Sequence, residues 1–395
     1  MAIETVNEEE TFQGGKVALI ASAHGVHDTY TAFLPALLPV LISKFGFSNT
    51  TAGSLSVFLQ IPSLFQPIIG HIADNKNLKI LTVLAPAVTG VAMSLLAIAP
   101  GYGLLMVLLL LAGISSAALH AVSPVIGSSF AGDKLGRSMS YWMVGGELGR
   151  SLGPLIIVTA IEYLTPGQVP WLMIGGFMTS IFLYYKLQDV STLPVEKQNF
   201  TNWKTAFGKI RRVMIPVSIL VFARALAHAA LTTYLPTYMT TQGSALWIAG
   251  ASLTILQVAG MIGALLAGWL SDRFGRRIML LISYITVPFL IPLFLNAKGF
   301  WQIPVLILIG FFAIASVPIF LAVVMENSPE NKSFANGVYM AISFIINAIS
   351  VLLVGALADF TNFQTTFLVS AGLMALGLPF IFMLPKMKSA PKLAG

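Results

Sequence analysis

The stretch GWLSDRFGRR, from Gly268 to Arg277, is a charged turn between two long apolar segments. A weaker copy, GHIAD, stands 198 positions earlier at 70–74, again between two apolar segments. Neighbouring residues repeat with nearly the same shift, since Gln60 recurs as Gln257. Internal repeats of this kind are typical of membrane proteins built from two related halves, with a ligand path between the halves near the midplane.

The composition places these apolar segments in a lipid bilayer. Of the 395 residues, 56% are hydrophobic and only 9% are charged, whereas soluble domains carry about 25% charged residues. The chain has no cysteine, which excludes disulfides, thiolate metal sites and cysteine nucleophiles. Its acidic, polar start lacks the pattern of a cleavable signal, so we expect the first apolar segment to be retained.

Apolar segments long enough to cross the hydrocarbon core as a helix, about 20 residues, recur along the whole chain. They lie at 17–43, 50–71, 79–98, 102–130, 139–163, 168–187, 213–241, 246–270, 277–296, 300–325, 333–357 and 363–385. The longest polar stretch divides the first six from the last six. We therefore predict an all-α membrane protein with twelve transmembrane helices in two pseudo-symmetric six-helix halves.

The predicted organisation is a tail at 1–16, a first half at 17–187, a linker at 188–212, a second half at 213–385 and a tail at 386–395. If the N-terminus is cytoplasmic, eighteen of the 22 lysines and arginines fall in cytoplasmic loops, linker or tails. That distribution satisfies the positive-inside rule, so we expect both termini in the cytoplasm. The net charge of +7 then marks one membrane face and indicates no nucleic-acid partner.

Several motifs resemble those of one transporter family. GWLSDRFGRR is similar to the loop signature G-x-x-x-D-R-x-G-R-R of the major facilitator superfamily, and SLGPL at 151–155 resembles a Gly-Pro element of its drug antiporters. A closer resemblance, from about His24 to Pro385, is to the fosmidomycin-resistance branch. It rests on His24 and Asp28 (H-x-x-x-D), QPIIG at 66–70, His120, VGGELGRSLGPL at 144–155, ENSP at 326–329 and GALAD at 355–359. It implies a major facilitator fold and proton-coupled export of small toxic compounds.

The candidate site residues are the ionisable side chains inside the predicted spans, because a charge at a helix centre costs about 2.5–3.5 kcal/mol on insertion scales. They are His24, His27 and Asp28 on the first span, His120 on the fourth, Glu147 and Arg150 on the fifth, and Arg224 and His228 on the seventh. The resemblance implies that the first, fourth and seventh helices line a central cavity.

Asp28 is the main candidate for the proton carrier, because the proton affinity of a buried carboxyl depends on its surroundings. His24 precedes it by four residues on the same helical face, and His27 points about 100° away. Histidine titrates near neutral pH, so both imidazoles are candidates for proton coupling. The alternative is that His24 and Asp28 form a polar pair that only stabilises helix packing.

The remaining intramembrane candidates are assigned to the cavity and the substrate. Glu147 and Arg150 are three residues apart and can form a structural ion pair. Alternatively, Arg150 can reach a cavity carboxylate such as Asp28 or an anionic substrate, which would make the pair part of the gating or transport machinery. Arg224 suits an anionic group, because its planar fork binds oxyanions, but it could also extend to the membrane surface. His228 lies one turn further on the same face, and His120 completes the cavity set.

The repeated loops are expected to act as gates and to make no contact with substrate. Their residues are Gly70, Asp74, Gly268, Asp272, Arg273, Gly275, Arg276 and Arg277. Gly275 permits a tight turn there. Glu326 and Asp359 stand at helix ends, where solvated or capping positions are expected.

The sequence contains no nucleotide-binding loop or nucleophile elbow, so we predict a transporter that is not an enzyme and has no cofactor. We expect a monomer in a bacterial inner membrane that exports a small drug-like or toxic compound in exchange for protons. Two alternatives stay open: proton symport of a small anionic metabolite, and export of a divalent metal or metal chelate. A metal would use His24, Asp28 and His120, since imidazole and carboxylate suit zinc, nickel or iron.

Overall fold

The computed structural model describes residues 12–73, 78–132, 134–188, 203–328 and 332–385, and all regular structure within them is helical. The α-helices are α1 (Gly14–Thr31), α2 (Phe33–Phe45), α3 (Asn49–Gln60), α4 (Gln66–Ala73), α5 (Lys79–Ser94), α6 (Tyr102–Ser129), α7 (Leu135–Tyr163), α8 (Met173–Lys186), α9 (Trp203–Thr233), α10 (Leu235–Thr241), α11 (Leu246–Phe274), α12 (Arg276–Asn296), α13 (Gln302–Glu326), α14 (Lys332–Phe360) and α15 (Phe363–Leu376). The predicted all-helical class is confirmed in these residues.

Nine of the described helical stretches are long and apolar enough to cross a membrane, and each coincides with a predicted span. The other three predicted spans, 17–43, 50–71 and 168–187, fall on interrupted helices. The first divides between α1 and α2, and the third is a 3-10 turn followed by α8. The second consists of α3, a 3-10 turn at Ile61–Phe65, and α4.

Proline accounts for two of these interruptions, because it lacks the backbone N–H and its ring clashes with the preceding helical turn. Pro62 stands at the start of the 3-10 turn that follows α3. Pro170 holds the same place in the turn Val169–Leu172 before α8. The twelve-residue α3 is therefore much shorter than the predicted helix.

The helix ends follow local capping chemistry. The Ser48 hydroxyl accepts a hydrogen bond from Thr51 N at the start of α3, and the Asn362 side chain caps α15 in the same way. Such side-chain acceptors satisfy amides that have no partner within the helix. Gly46 ends α2 with a φ of 67°, and Gly275 separates α11 from α12 with a φ of 96°. The turn expected at Gly275 is therefore present.

The buried apolar residues form three clusters. Two of them contain only residues from Val17 to Leu187, and the third contains only residues from Ile210 to Leu384. We call the helices α1–α8 the first group and the helices α9–α15 the second group. Each group buries its own side chains, and the groups contact each other mainly where α7 packs on α11 and α3 packs on α14.

The hydrogen bonds described between the two groups concentrate at one end, which we call the Asp359 end. There, Asp359 of α14 accepts hydrogen bonds from Asn49 and Thr50 at the start of α3. Further along the same pair of helices, Asn347 donates to Gln60 Oε1 at 2.8 Å. This is the last described hydrogen bond between the groups before the 3-10 turn that leads into α4.

A second set of contacts closes the groups at this end. The Tyr234 hydroxyl, from the junction of α9 and α10, lies 3.1 Å from Asn49 O and 3.0 Å from Val351 O. Trp247 at the start of α11 donates to Thr159 Oγ1 of α7 at 3.2 Å. Both interfaces between the groups are therefore joined near the same ends of their helices.

Candidate functional site

Buried ionisable side chains meet where α1, α6 and α7 come together. His24 and Asp28 lie on one face of α1, as their spacing predicted, and each is only 2% exposed. His24 Nε2 is 3.3 Å from Asp28 Oδ2. The two residues therefore form a buried pair.

His27 also reaches the carboxylate, although it is adjacent in sequence and was expected to diverge from it. Its Nδ1 lies 2.9 Å from Asp28 Oδ1, and the side chain is fully buried. Its other nitrogen, Nε2, has no described hydrogen-bond partner. Asp28 is thus contacted by two imidazoles of its own helix.

His120 of α6 joins this pair from 96 positions away in the sequence. Its Nε2 is 3.2 Å from His24 Nε2 and 3.7 Å from Asp28 Oδ1. Its side chain is 23% exposed, in contrast to the buried residues of α1. His120 is therefore the most exposed of the three histidines in the cluster.

Glu147 and Arg150 of α7 form an ion pair, and the same guanidinium extends to α1. Arg150 Nη1 is 3.5 Å from Asp28 Oδ2, so Arg150 lies between two carboxylates. Its side chain is 41% exposed. Among the described residues, this arginine connects the buried cluster with the more open surface of α7.

Two backbone carbonyls that the sequence did not point to orient the imidazoles. His24 Nδ1 lies 2.8 Å from Trp142 O, and His120 Nδ1 lies 2.8 Å from Ser116 O. The His24 ring also stacks on the Trp142 indole, with centroids 4.0 Å apart and planes 16° from parallel. Trp142 in turn donates from Nε1 to Ser123 Oγ. In the sequence, only the side chain of Trp142, an aromatic residue just before the glycines of α7, could have drawn attention to this position.

Glycines explain how α7 comes so close to α1. Gly145, Gly149 and Gly153 repeat every four residues and so lie on one face of the helix. A β-carbon at any of the three would collide with a carbonyl oxygen of α1, and at Gly149 that oxygen belongs to Gly25. Small residues allow such close backbone approach between membrane helices. This contact brings the guanidinium of Arg150, which is paired with Glu147, to Asp28.

Arg224 and His228 lie on α9, in the second group, and make no described contact with Asp28. Arg224 Nη1 is 3.3 Å from both Ala313 O and Ser316 Oγ of α13, while its Nε has no described partner. His228 lies close enough to Arg224 and to Arg150 to be affected by both charges. The predicted cavity residues therefore come from both groups, but only those of the first form one cluster.

The predicted gating residues are partly described. Arg276 contacts Asp272 and Glu326, the latter at 2.8 Å, and Arg277 donates to Leu384 O. Glu326, expected to be solvated or capping, is thus ion-paired. Arg273 lies over the Trp269 and Phe274 rings. Gly70 falls in α4 and Gly268 in α11, whereas Asp74 is outside the described residues.

His24, Asp28 and His120 each present a ligand atom within 4.8 Å of the others, which is close enough to surround a metal ion. The neighbouring charges disfavour a dication. Asp28 and Glu147 contribute two negative charges and Arg150 one positive charge, so the cluster holds one net negative charge. A dication would leave a net positive charge in a largely buried site, and burying uncompensated charge is costly.

The geometry defines a class of protein: a multi-pass membrane protein with an ionisable cluster inside its helices. The chain belongs to the major facilitator superfamily, whose family model matches residues 20–333 and 254–394. It is a membrane transporter of small molecules, as that family is.

Individual relatives are distant. The chain is 23% identical over 376 residues to the fosmidomycin resistance protein of Escherichia coli (strain K12), covering 93% of this chain and 92% of that protein. It is 27% identical to the uncharacterized MFS-type transporter YfnC of Bacillus subtilis (strain 168), with 98% of each covered. A crystal structure of the nucleoside transporter NupG superposes with a TM-score of 0.73 at 18% identity, covering 94% of this chain and 99% of NupG. That likeness shows the fold alone.

Proposed function

We propose that this transporter exports a small drug-like or toxic organic compound in exchange for protons. The observation that carries the proposal is the buried cluster of Asp28 with three imidazoles and Arg150. Ionisable groups inside a membrane cost free energy, and helix packing does not require so many of them. Relatives named for drug or antibiotic resistance support the same choice.

The proposed architecture is twelve spans in two halves, at 17–187 and 213–385, joined by a cytoplasmic linker at 188–212, with the tails 1–16 and 386–395 also cytoplasmic. The separation of the buried clusters at Leu187 and Ile210 supports this division. The proposed location is a bacterial inner membrane, and the proposed oligomeric state is a monomer.

Asp28, His24 and His27 are the proposed proton-coupling residues. They are buried, His24 and His27 both contact Asp28, and the partly exposed His120 lies beside them. A proton that enters or leaves this cluster changes the charge next to Arg150. Proton binding can therefore alter how Arg150 interacts with a substrate.

Arg150 and Arg224 are the proposed contacts for an anionic group on the substrate, together with His120, Glu147 and His228. Arg150 is partly exposed, and Arg224 has a guanidinium nitrogen without a described partner. A guanidinium binds a carboxylate or phosphonate with two parallel hydrogen bonds. The two arginines belong to different groups of helices. The binding of an anion by both would therefore depend on the distance between the two groups.

Alternating access is the proposed mode of transport, with the Asp359 end facing outward and closed. The hydrogen bonds at Asp359, Tyr234 and Trp247 support this, because among the described residues they join the two groups near that end. Opening towards the cytoplasm then follows at the opposite end. The charged residues at the end of α11, Asp272 among them, would close that end in the alternate state, together with the predicted gating residue Asp74.

The test is transport in proteoliposomes that contain a pH-sensitive dye, under an imposed proton gradient. We would add phosphonates, organic acids, cationic drugs and divalent metals in turn. The proposal predicts proton movement opposite to one organic compound, with weaker transport of anionic members in Arg150→Gln and Arg224→Gln. Movement in the same direction would establish symport instead. Transport of a free metal ion would mean that the substrate is a metal ion and not an organic compound.

A further inference from the structure

The imidazoles of His24 and His120 face each other through the same ring atom. Their Nε2 atoms are 3.2 Å apart, and each Nδ1 lies 2.8 Å from a backbone carbonyl, that of Trp142 or of Ser116. A carbonyl oxygen can only accept a hydrogen bond, so each Nδ1 carries a hydrogen. When either ring is neutral, its Nε2 is consequently the unprotonated nitrogen.

Two neutral rings held in this way would point two lone pairs at one another with no hydrogen between them. One added proton turns this repulsion into an N–H···N hydrogen bond, whereas two added protons would place two cations in contact. We propose that His24 and His120 form a single site that binds one proton, shared between their Nε2 atoms. The inference rests on the proton coupling proposed above, and it identifies where the coupling proton is held.

Asp28 becomes the counter-ion of this site, and its carboxylate stays ionised. Its Oδ2 is 3.3 Å from His24 Nε2, and its Oδ1 is 3.7 Å from His120 Nε2. His27 Nδ1, at 2.9 Å, occupies Oδ1 from the other side. The carboxylate therefore stabilises a positive charge on either ring and favours neither strongly.

The charges around the pair balance with one proton. Asp28 and Glu147 carry negative charges and Arg150 a positive one, so one shared proton brings this group to neutrality. On α9, His228 lies close enough to Arg150 to be affected by its charge, and both His228 and Arg224 lie outside the group. The described contacts of the two imidazoles include no charged side chain from α2, α5 or α8. Neutrality favours a bound proton over a dication at the same atoms.

The two rings also differ in access, which gives the proton a direction of entry. The His120 side chain is 23% exposed and the His24 side chain 3% exposed. The proton therefore enters at His120 and is shared inward to His24. Stacking of His24 on Trp142 holds the inner ring in place during this step.

Proton binding by the full-length protein tests the site without any transport substrate. We would purify the protein free of metal and measure the protons released between pH 5 and pH 9 with a pH-indicator dye. The variants are His24→Gln, His120→Gln and the double variant, with Glu162→Gln, an exposed carboxylate outside the cluster, as the control. The double variant is expected to lose one proton of the wild-type total, whereas each single variant keeps one imidazole beside Asp28 and should still release one proton, at a pH different from that of wild type.

Single variants that each lose one proton, together with a double variant that loses two, would overturn the shared site, and so would a double variant that loses none. Nitrogen-15 NMR of histidine-labelled wild type tests the same claim if the variants fail to fold. Both rings should keep Nδ1–H, and their Nε2 signals should move together at one pH; an Nε2–H tautomer or separate titrations would overturn it. Stoichiometric Zn²⁺ binding that is lost in His24→Gln would assign the atoms to a metal instead. If the shared proton is found but transport is not coupled to proton movement, the proposed function fails and the shared site stands.

Discussion

Replacing Asp359 with alanine is expected to weaken the contact that closes the two groups of helices. The carboxylate accepts hydrogen bonds from Asn49 N at 2.7 Å, from Thr50 N at 2.8 Å and from Thr50 Oγ1 at 2.6 Å. These donors belong to the start of α3, in the other group, so the contact exists only while the groups touch at this end. Its loss destabilises the closed arrangement and leaves the separated one unchanged.

The magnitude follows from the chemistry of helix capping. Replacing an acceptor at a helix N-terminus by alanine costs about 0.5–2 kcal/mol. Asp359 is solvent-exposed, so screening by water places it in the lower part of that range. A cost of about 1 kcal/mol corresponds to about a fivefold change in the ratio of separated to closed molecules. Thr50→Val, which removes only the hydroxyl donor, should produce a smaller change in the same direction.

The assay is a distance measurement between spin labels on opposite groups at the Asp359 end. The chain has no cysteine, so the labels can be placed cleanly at Thr165→Cys and Lys298→Cys, which are exposed and away from the contact. Asp359→Ala should increase the population of the longer distance about fivefold. Glu162→Ala removes an exposed carboxylate at the same end and should not change it. An unchanged distance distribution in Asp359→Ala would refute the reasoning.

Two further predictions concern α7. Gly149→Ala should lower the thermal unfolding temperature, because its β-carbon meets Gly25 O, whereas Gly337→Ala, where nothing obstructs the new atom, should be neutral or stabilising; equal effects would contradict the close α1–α7 contact. Glu147→Gln and Arg150→Gln should each destabilise the protein, and the double variant should be more stable than the sum of the two losses predicts, by about 0.5–3 kcal/mol in a double-mutant cycle of thermal unfolding. Additive losses would mean that the ion pair contributes nothing.

Much of the fold was predictable because a membrane-spanning segment of this composition must form a long apolar helix. Apolar length alone identified the nine long spans, since every backbone polar group must be paired within the helix. It did not identify the break after α3, because the apolar pattern continues through Ile61–Phe65 while Pro62 prevents a continuous α-helix. Hydropathy measures the side chains and does not register the missing backbone N–H.

The candidate site was predictable in its members and not in its contacts. The cost of intramembrane charge selected Asp28, His120 and Arg150, but only the fold brings His120 to His24 across 96 positions. The carbonyl of Trp142 could not be predicted, because a backbone acceptor leaves no mark in the sequence. Helical spacing also misplaced His27, whose ring turns back to the carboxylate next to it.

The measurement that tests proton-coupled export most directly is the proton flux that accompanies transport in proteoliposomes. We would compare wild type with Asp28→Asn, and use Glu162→Gln, an exposed carboxylate with no place in the cluster, as the matched control. Proton flux opposite to the movement of an organic compound, lost in Asp28→Asn and kept in Glu162→Gln, is the predicted result. Compound transport with its proton flux intact in Asp28→Asn would contradict the assignment of coupling to this cluster.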